Sequence, residues 1–129
     1  MDKILIIIKA FATAVISFTT IILGGSDTVL KVLLSFMILD YITGIIAAVY
    51  NKELNSQTGF KGLLKKITIL CVVAVSHLAG TVTGANSIRC IVISFYIANE
   101  GISILENASR CDVKVLNKLK GILEQLNKE

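Results

Sequence analysis

The sequence predicts an all-α integral membrane protein with about four transmembrane helices and a C-terminal amphipathic cytoplasmic helix. Hydrophobic residues make up 54% of the 129 residues and charged residues 17%, and the mean hydropathy is +0.78. This is more apolar surface than a soluble domain of this length easily buries. Four apolar stretches approach the roughly 20 residues that a helix needs to cross a bilayer. Most lysines lie outside these stretches, as is typical of membrane spans.

The predicted spans lie within a transmembrane unit of residues 1–110 and cover residues 4–23, 29–50, 67–84 and 90–105. The connections between them are short, so neighbouring helices should be antiparallel. Apolar character in the first stretch runs on to Leu23, which favours a retained helix over a cleaved signal peptide. Lys9 weakens the first span, and the fourth is shorter and more polar. A three-span topology with one segment on the membrane surface is therefore the alternative.

Positive charges predict the orientation of the four-span topology. Of the 13 Lys and Arg residues, only Lys31 and Arg89 fall on one side. The other side has both termini and the second connection, and we therefore expect both termini in the cytoplasm. The basic residues proposed for this cytoplasmic loop and tail are Lys61, Lys65, Lys66, Arg110, Lys114, Lys118 and Lys120. The net charge of +4 favours an anionic lipid leaflet as partner, since no interleaving of aromatic and basic residues suggests nucleic acid.

The tail, residues 111–129, is predicted to form a basic amphipathic helix. Its apolar residues recur at helical spacing, with lysines on the other faces. They are Val115, Leu116, Leu119, Ile122, Leu123 and Leu126. Such a helix either lies on the cytoplasmic leaflet or pairs with copies of itself.

Asp40 places a carboxylate at the centre of the second span. An ionised carboxylate facing lipid there costs at least ~2.5 kcal/mol. Thr43, Gly44 and Ala47 share its helix face and are all small or polar. Asp40 therefore marks either an oligomer interface or pore surface, or a hydrogen bond buried within one subunit.

The fourth segment has a polar stripe on one side of a predicted helix, whose remaining surface is mostly isoleucine and leucine. The stripe includes Tyr96, Asn99, Glu100, Ser103, Glu106 and Asn107. A span with such a stripe meets other helices or water, so these residues are candidates for a pore or oligomer interface. The alternative is an amphipathic helix on the membrane surface.

Small residues in the third span, Ser76, Gly80 and Gly84, form a face on which helices can approach closely. His77 beside this face is more typical of a hydrogen-bonded interior residue than of a ligand. Three widely spaced cysteines without a CxxC pair indicate reduced structural residues. No phosphate loop, nucleophile elbow or zinc motif is present. The sequence therefore predicts no enzyme, cofactor or metal site.

Three ordered motifs resemble the toxin secretion/phage lysis holin family, found in phages of Gram-positive bacteria and beside clostridial toxin genes. The resemblance spans about residues 32–126. The first motif is Asp-Tyr-x-x-Gly, and the second is Ser-x-x-Gly-x-x-Gly-x-x-x-Lys. The third is Asn-Glu-x-x-Ser-x-x-Glu-Asn. Their residues are Asp40, Tyr41 and Gly44; Ser56, Gly59, Gly62 and Lys66; and Asn99, Glu100, Ser103, Glu106 and Asn107.

This resemblance implies a multi-pass protein of the bacterial cytoplasmic membrane that forms homo-oligomers and opens lesions at a set time. The lesions would release an endolysin or, in relatives, a toxin. Two alternatives remain open. One is a small oligomeric ion or proton channel in which Asp40, His77 and Glu100 form a relay. The other is a membrane scaffold or antiholin that modulates a partner holin.

Overall fold

The computed structural model of the chain describes residues 2–115 and 117–128, and every regular element within them is an α-helix. Four helices are long and apolar enough to cross a membrane, which confirms the predicted fold class. Helices suit lipid because they satisfy their own backbone polar groups. Met1, Leu116 and Glu129 lie outside the described residues, so the predicted apolar stripe of the tail is described without Leu116. The helices are α1 (Asp2–Ile22), α2 (Thr28–Tyr50), α3 (Ser56–Thr83), α4 (Ser87–Arg110) and α5 (Asn117–Lys128).

Local capping residues set the ends of α2 and α3. Asp27 caps α2 by accepting a hydrogen bond from the backbone N–H of Leu30 at 3.2 Å, and Asn55 caps α3 in the same way. The basic segment that precedes the predicted third span thus forms the first turns of α3. Gly84 ends α3 with a φ of +78°, a conformation that glycine adopts without strain.

Helix α4 lies at the centre of the bundle and packs against α2, α3 and α5. Its hydrogen bonds to α2 and the flanking loops run from Arg89 and Asp27 at one end to Arg110 and Asn51 at the other. Helices α2 and α4 are therefore parallel. We call the end with the α2–α3 and α4–α5 connections the basic end, and the end with the α1–α2 and α3–α4 connections the opposite end.

The apolar core of α2, α3 and α4 lies between Asp40 and the opposite end. Leu33, Val73 and Ile93, one from each helix, are completely buried. Leu30 and Ile69 extend the same cluster. This core brings the three helices together, and it leaves their other half, toward the basic end, to polar residues.

The first and last helices differ in how they attach to this bundle. Helix α1 has no buried residue and, among the described helices, packs only against α3. Helix α5 folds back along α4 and buries Leu123. A Cβ at Gly101 would lie 3.0 Å from Leu123 Cδ1 and 3.1 Å from Phe36 Cε2. The sequence predicted the α5 helix, but it did not predict this packing, for which the glycine leaves room.

Candidate functional site

Three charged side chains from three helices meet inside the bundle. The ammonium of Lys66 donates to Asp40 Oδ2 at 2.5 Å and to Glu100 Oε2 at 2.8 Å. The three side chains are largely buried, with exposed fractions of 15% for Lys66, 12% for Asp40 and 6% for Glu100. We call Asp40, Lys66 and Glu100 the charge cluster. It joins α2, α3 and α4 through directional contacts.

Asp40 is held further by the polar stripe of α4. Its second oxygen, Oδ1, accepts hydrogen bonds from Ser103 Oγ at 2.6 Å and from Asn107 Nδ2 at 3.0 Å. Asn107 also donates to Thr43 Oγ1 at 3.0 Å. Ser103 and Asn107 are one helical turn apart, as are Asp40 and Thr43, so both pairs face each other along the parallel helices. Within one chain, both oxygens of the Asp40 carboxylate are therefore hydrogen-bonded.

The charge cluster combines two carboxylates with one ammonium. When all three groups are ionised, one negative charge is in excess. Buried ions are tolerated only when close partners and hydrogen bonds offset their desolvation, and the contacts to Lys66, Ser103 and Asn107 do so for Asp40. The arrangement is that of an ion-pair network between helices.

An open cleft of about 930 Å³ lies between α2, α3 and α4 and extends from the α2–α3 connection to the charge cluster. Its walls include small residues: a Cβ at Gly44 or Gly59 would still be in ordinary contact with its neighbours, and one at Gly62 would meet nothing within 4 Å. Further predicted site residues line it, namely Lys65, Tyr96, Asn99, Glu106 and Arg110.

The other small residues predicted for an interface lie within the chain's own packing. Ala47 is completely buried and Ser76 is 4% exposed. A Cβ at Gly80 would lie 2.9 Å from the backbone oxygen of Ala85, so this glycine serves the turn between α3 and α4. Gly84 ends α3. The predicted basic residues Lys61, Lys114, Lys118 and Lys120 are exposed and lie outside the cleft.

A second polar site, at the opposite end, was not predicted from the sequence. The guanidinium of Arg89 donates to the backbone oxygens of Leu23 at 2.6 Å and Gly25 at 3.1 Å, and to Asp27 Oδ2 at 2.7 Å. The hydrogen bonds from Arg89 to the Asp27 carboxylate hold the pKa of Asp27 below its usual range. Arg89 thereby fixes the α1–α2 connection to the start of α4. Its isolation as the only arginine at a nearly uncharged end was the available signal.

His77 lies at this opposite end too, because its Nδ1 would be 2.7 Å from a Cβ at Gly24. The apolar core separates it from the charge cluster. Asp40, His77 and Glu100 therefore form no continuous relay within one chain. Among residues 2–115 and 117–128, no group of three or more His, Cys, Asp or Glu side chains could hold a metal ion, and Cys71, Cys90 and Cys111 are free.

The chain is similar in sequence to one protein family and to several bacterial and phage proteins. A profile described as the bacteriophage holin family matches residues 17–128. An uncharacterized protein of Listeria monocytogenes is 48% identical over 101 residues, which cover 78% of this chain and 72% of that protein. An uncharacterized 14.9 kDa protein from the nagH 3′ region of Clostridium perfringens is 40% identical over 129 residues, 98% of each chain.

A further relative is described as a probable holin, from Bacillus phage phi105. It is 37% identical over 94 residues, which cover 72% of this chain and 70% of that protein. No solved structure matches the chain. The matched range includes the charge cluster, the cleft and all of α5, but only the last part of α1.

Proposed function

We propose that this chain, which belongs to the bacteriophage holin family, oligomerises in the bacterial cytoplasmic membrane and opens lesions that release an endolysin or a toxin. The observation that carries this proposal is the family match over residues 17–128, together with a relative described as a probable holin.

The cleft supports assembly because a polar surface open to lipid is unfavourable. Its charged and amide side chains can be solvated only by water or by protein. Helix α1 supports it independently, since the chain buries none of its residues and its Lys9 is costly against lipid. A single copy thus leaves both surfaces to the membrane, whereas an assembly can bring them together or surround water with them.

The proposed topology has both termini in the cytoplasm, with the basic end facing the anionic inner leaflet. Native cysteines test it. In cells, an impermeant thiol reagent added outside should label Cys90, which is exposed near the opposite end, and should leave Cys111 unlabelled until the membrane is opened. External labelling of Cys111 would require a different number of spans.

Induced expression tests the proposed activity. Growth should stop abruptly, and a co-expressed endolysin should reach the cell wall and lyse the cells. Asp40→Leu and Glu100→Leu should insert as well as the parent and lose timed lysis. Lys61→Gln is the control, because Lys61 is exposed and outside the cleft. Normal lysis by both leucine variants would show that the two carboxylates of the charge cluster are not needed for lesion formation.

An ion channel is the second candidate, favoured by the location of a charge cluster at the end of a polar cleft. It predicts loss of ion gradients without release of a protein-sized cargo. An antiholin or scaffold predicts no lesion alone and a shift in lysis time when a partner holin is present. Measuring potassium loss and release of a cytoplasmic enzyme in the same culture separates these outcomes.

A further inference from the structure

Helix α1 carries a polar stripe that its own chain does not cover. At 100° per residue, Asp2, Lys9, Thr13, Ser17 and Thr20 fall on one side of the helix. No residue of α1 is buried. Lys9 forms no salt bridge with any residue that the structure describes. A lysine within an apolar span must reach the membrane surface or meet a partner, so an acidic partner at this depth would stabilise Lys9.

The cleft has an excess of acidic side chains, which is complementary to the positive charge of Lys9. Its acidic lining residues are Asp40, Glu53, Glu100 and Glu106, against the basic residues Lys65, Lys66 and Arg110. When all are ionised, one negative charge is in excess, as it is in the charge cluster alone. One additional ammonium near Asp40 and Glu100 would neutralise the cluster.

Lys9 also lies at the same depth in the membrane as the carboxylates of the charge cluster. The C-terminus of α1 and the N-termini of α2 and α4 all lie near Arg89, at what we call the opposite end. At 1.5 Å per residue, Lys9, Asp40 and Glu100 all lie roughly 18 to 20 Å along their helices from that end. Copies in one membrane share the same plane. An α1 helix standing beside another copy therefore brings Lys9 to the level of its charge cluster.

The cleft also has room for a helix. Helix α2 makes few contacts with α3, and the glycines on the cleft wall leave their sides open. Its volume of about 930 Å³ corresponds to roughly two turns of a helix about 10 Å in diameter. The part of α1 around Lys9 and Thr13 has this length.

We infer that α1 of one copy docks in the cleft of a second copy, with Lys9 against Asp40 and Glu100. This inference rests on the proposed assembly and specifies its interface. The contact joins two different surfaces, so each copy offers one α1 and one cleft. Such a head-to-tail contact continues into a ring or an open array.

Cysteine crosslinking between differently tagged copies tests the contact. In a background with the three native cysteines changed to serine, one copy carries Thr13→Cys and the other Val72→Cys, at the cleft wall. Oxidation should give a dimer that bears both tags. Phe11→Cys, on the other side of α1, is the matched control and should give at least tenfold less product. Equal yields, or only Thr13→Cys pairs of one tag, would overturn the contact.

Charge variants test the electrostatic part. Lys9→Met should reduce the two-tag product about tenfold, whereas Lys9→Arg should keep it. Glu100→Gln combined with Lys9→Met should recover most of it, because neither charge is then left without the other. No effect of Lys9→Met would overturn the role of the lysine.

A lysine-reactive crosslinker applied to the parent separates this inference from the proposed function. A ladder of oligomers and timed lysis without the two-tag product would leave the proposed function standing and refute the α1 contact. Absence of both the ladder and lysis would refute the two together.

Discussion

The two halves of the α2–α3–α4 bundle are held together by different chemistry. Toward the opposite end, Leu33, Val73 and Ile93 fill the space between the helices. Toward the basic end, Asp40, Lys66 and their partners do so, beside an open cleft. In lipid, an apolar side chain exchanges one hydrocarbon surface for another, so apolar contacts favour association only weakly. The polar half therefore fixes the register of the helices, and the apolar half fills the space between them.

The largest effect should follow from removing the cation of the polar half. Lys66→Met leaves Asp40 and Glu100 buried without their shared partner, and we expect a loss of about 3–5 kcal/mol in unfolding free energy. Unfolding in lipid bilayer discs measures it. Lys65→Met, at the exposed neighbouring residue, should change stability by less than about 0.5 kcal/mol. Similar losses for the two variants would show that the charge cluster does not hold the helices.

A smaller effect is expected in the apolar half. Ile93 is completely buried, and Ile→Ala changes in soluble cores cost about 2–5 kcal/mol. In lipid the isoleucine also contacts hydrocarbon after the helices separate, so mainly the packing difference is lost. We expect Ile93→Ala to cost about 1 kcal/mol in the same bilayer discs. A loss equal to that of Lys66→Met would contradict the difference between the halves.

An effect of about the same size is expected where α5 packs against α4 at Gly101, next to the charge cluster. Gly101→Ala places a methyl group 3.0 Å from Leu123, and we expect α5 to detach more readily, by about 1 kcal/mol. Proteolysis at Lys118 and Lys120 should become several-fold faster. Gly121→Ala is the control, because its Cβ meets nothing within 4 Å and alanine favours a helix. Unchanged cleavage of Gly101→Ala would show that α5 does not depend on this contact.

The smallest effect concerns acid at the opposite end. Arg89 lowers the pKa of Asp27, so the contribution of Asp27 to stability is present above the ordinary aspartate pKa of about 3.9. It is lost as the pH falls through the lowered folded value. Asp27 is half exposed, which limits the contribution to the ~0–1 kcal/mol of surface pairs.

We therefore expect constant protection of the α1–α2 connection in hydrogen exchange from pH 5 to 8, and loosening only below about pH 4. Asp27→Asn should remove this acid dependence. A change between pH 5 and 8 in the parent, absent from Asp27→Asn, would contradict the lowered pKa of Asp27.

The sequence predicted the helices because their cause is local: apolar stretches of sufficient length in lipid have no other way to satisfy the backbone. It also predicted that Asp40 must avoid lipid, but not that Lys66 is its partner. That pairing depends on the packing of three helices, and Lys66 stood in a basic segment that suggested a loop. The position of α5 was missed for the same reason, since only packing shows that Gly101 admits Leu123.

During synthesis of the chain, Asp40 is made before all of the hydrogen-bond partners of its carboxylate. Its partners follow it in the chain by 26 residues at Lys66, 63 at Ser103 and 67 at Asn107. At a synthesis rate of about 5–20 residues per second, Asn107 is made roughly 3 to 13 s after Asp40. Lys66 is made roughly 1 to 5 s after Asp40, and until α4 follows, Asp40 has Lys66 as its only partner among these three residues. A chain ended before α4 lacks Ser103 and Asn107 and leaves one oxygen of the Asp40 carboxylate without a hydrogen bond, so truncated products should be recognised and degraded faster than the complete protein.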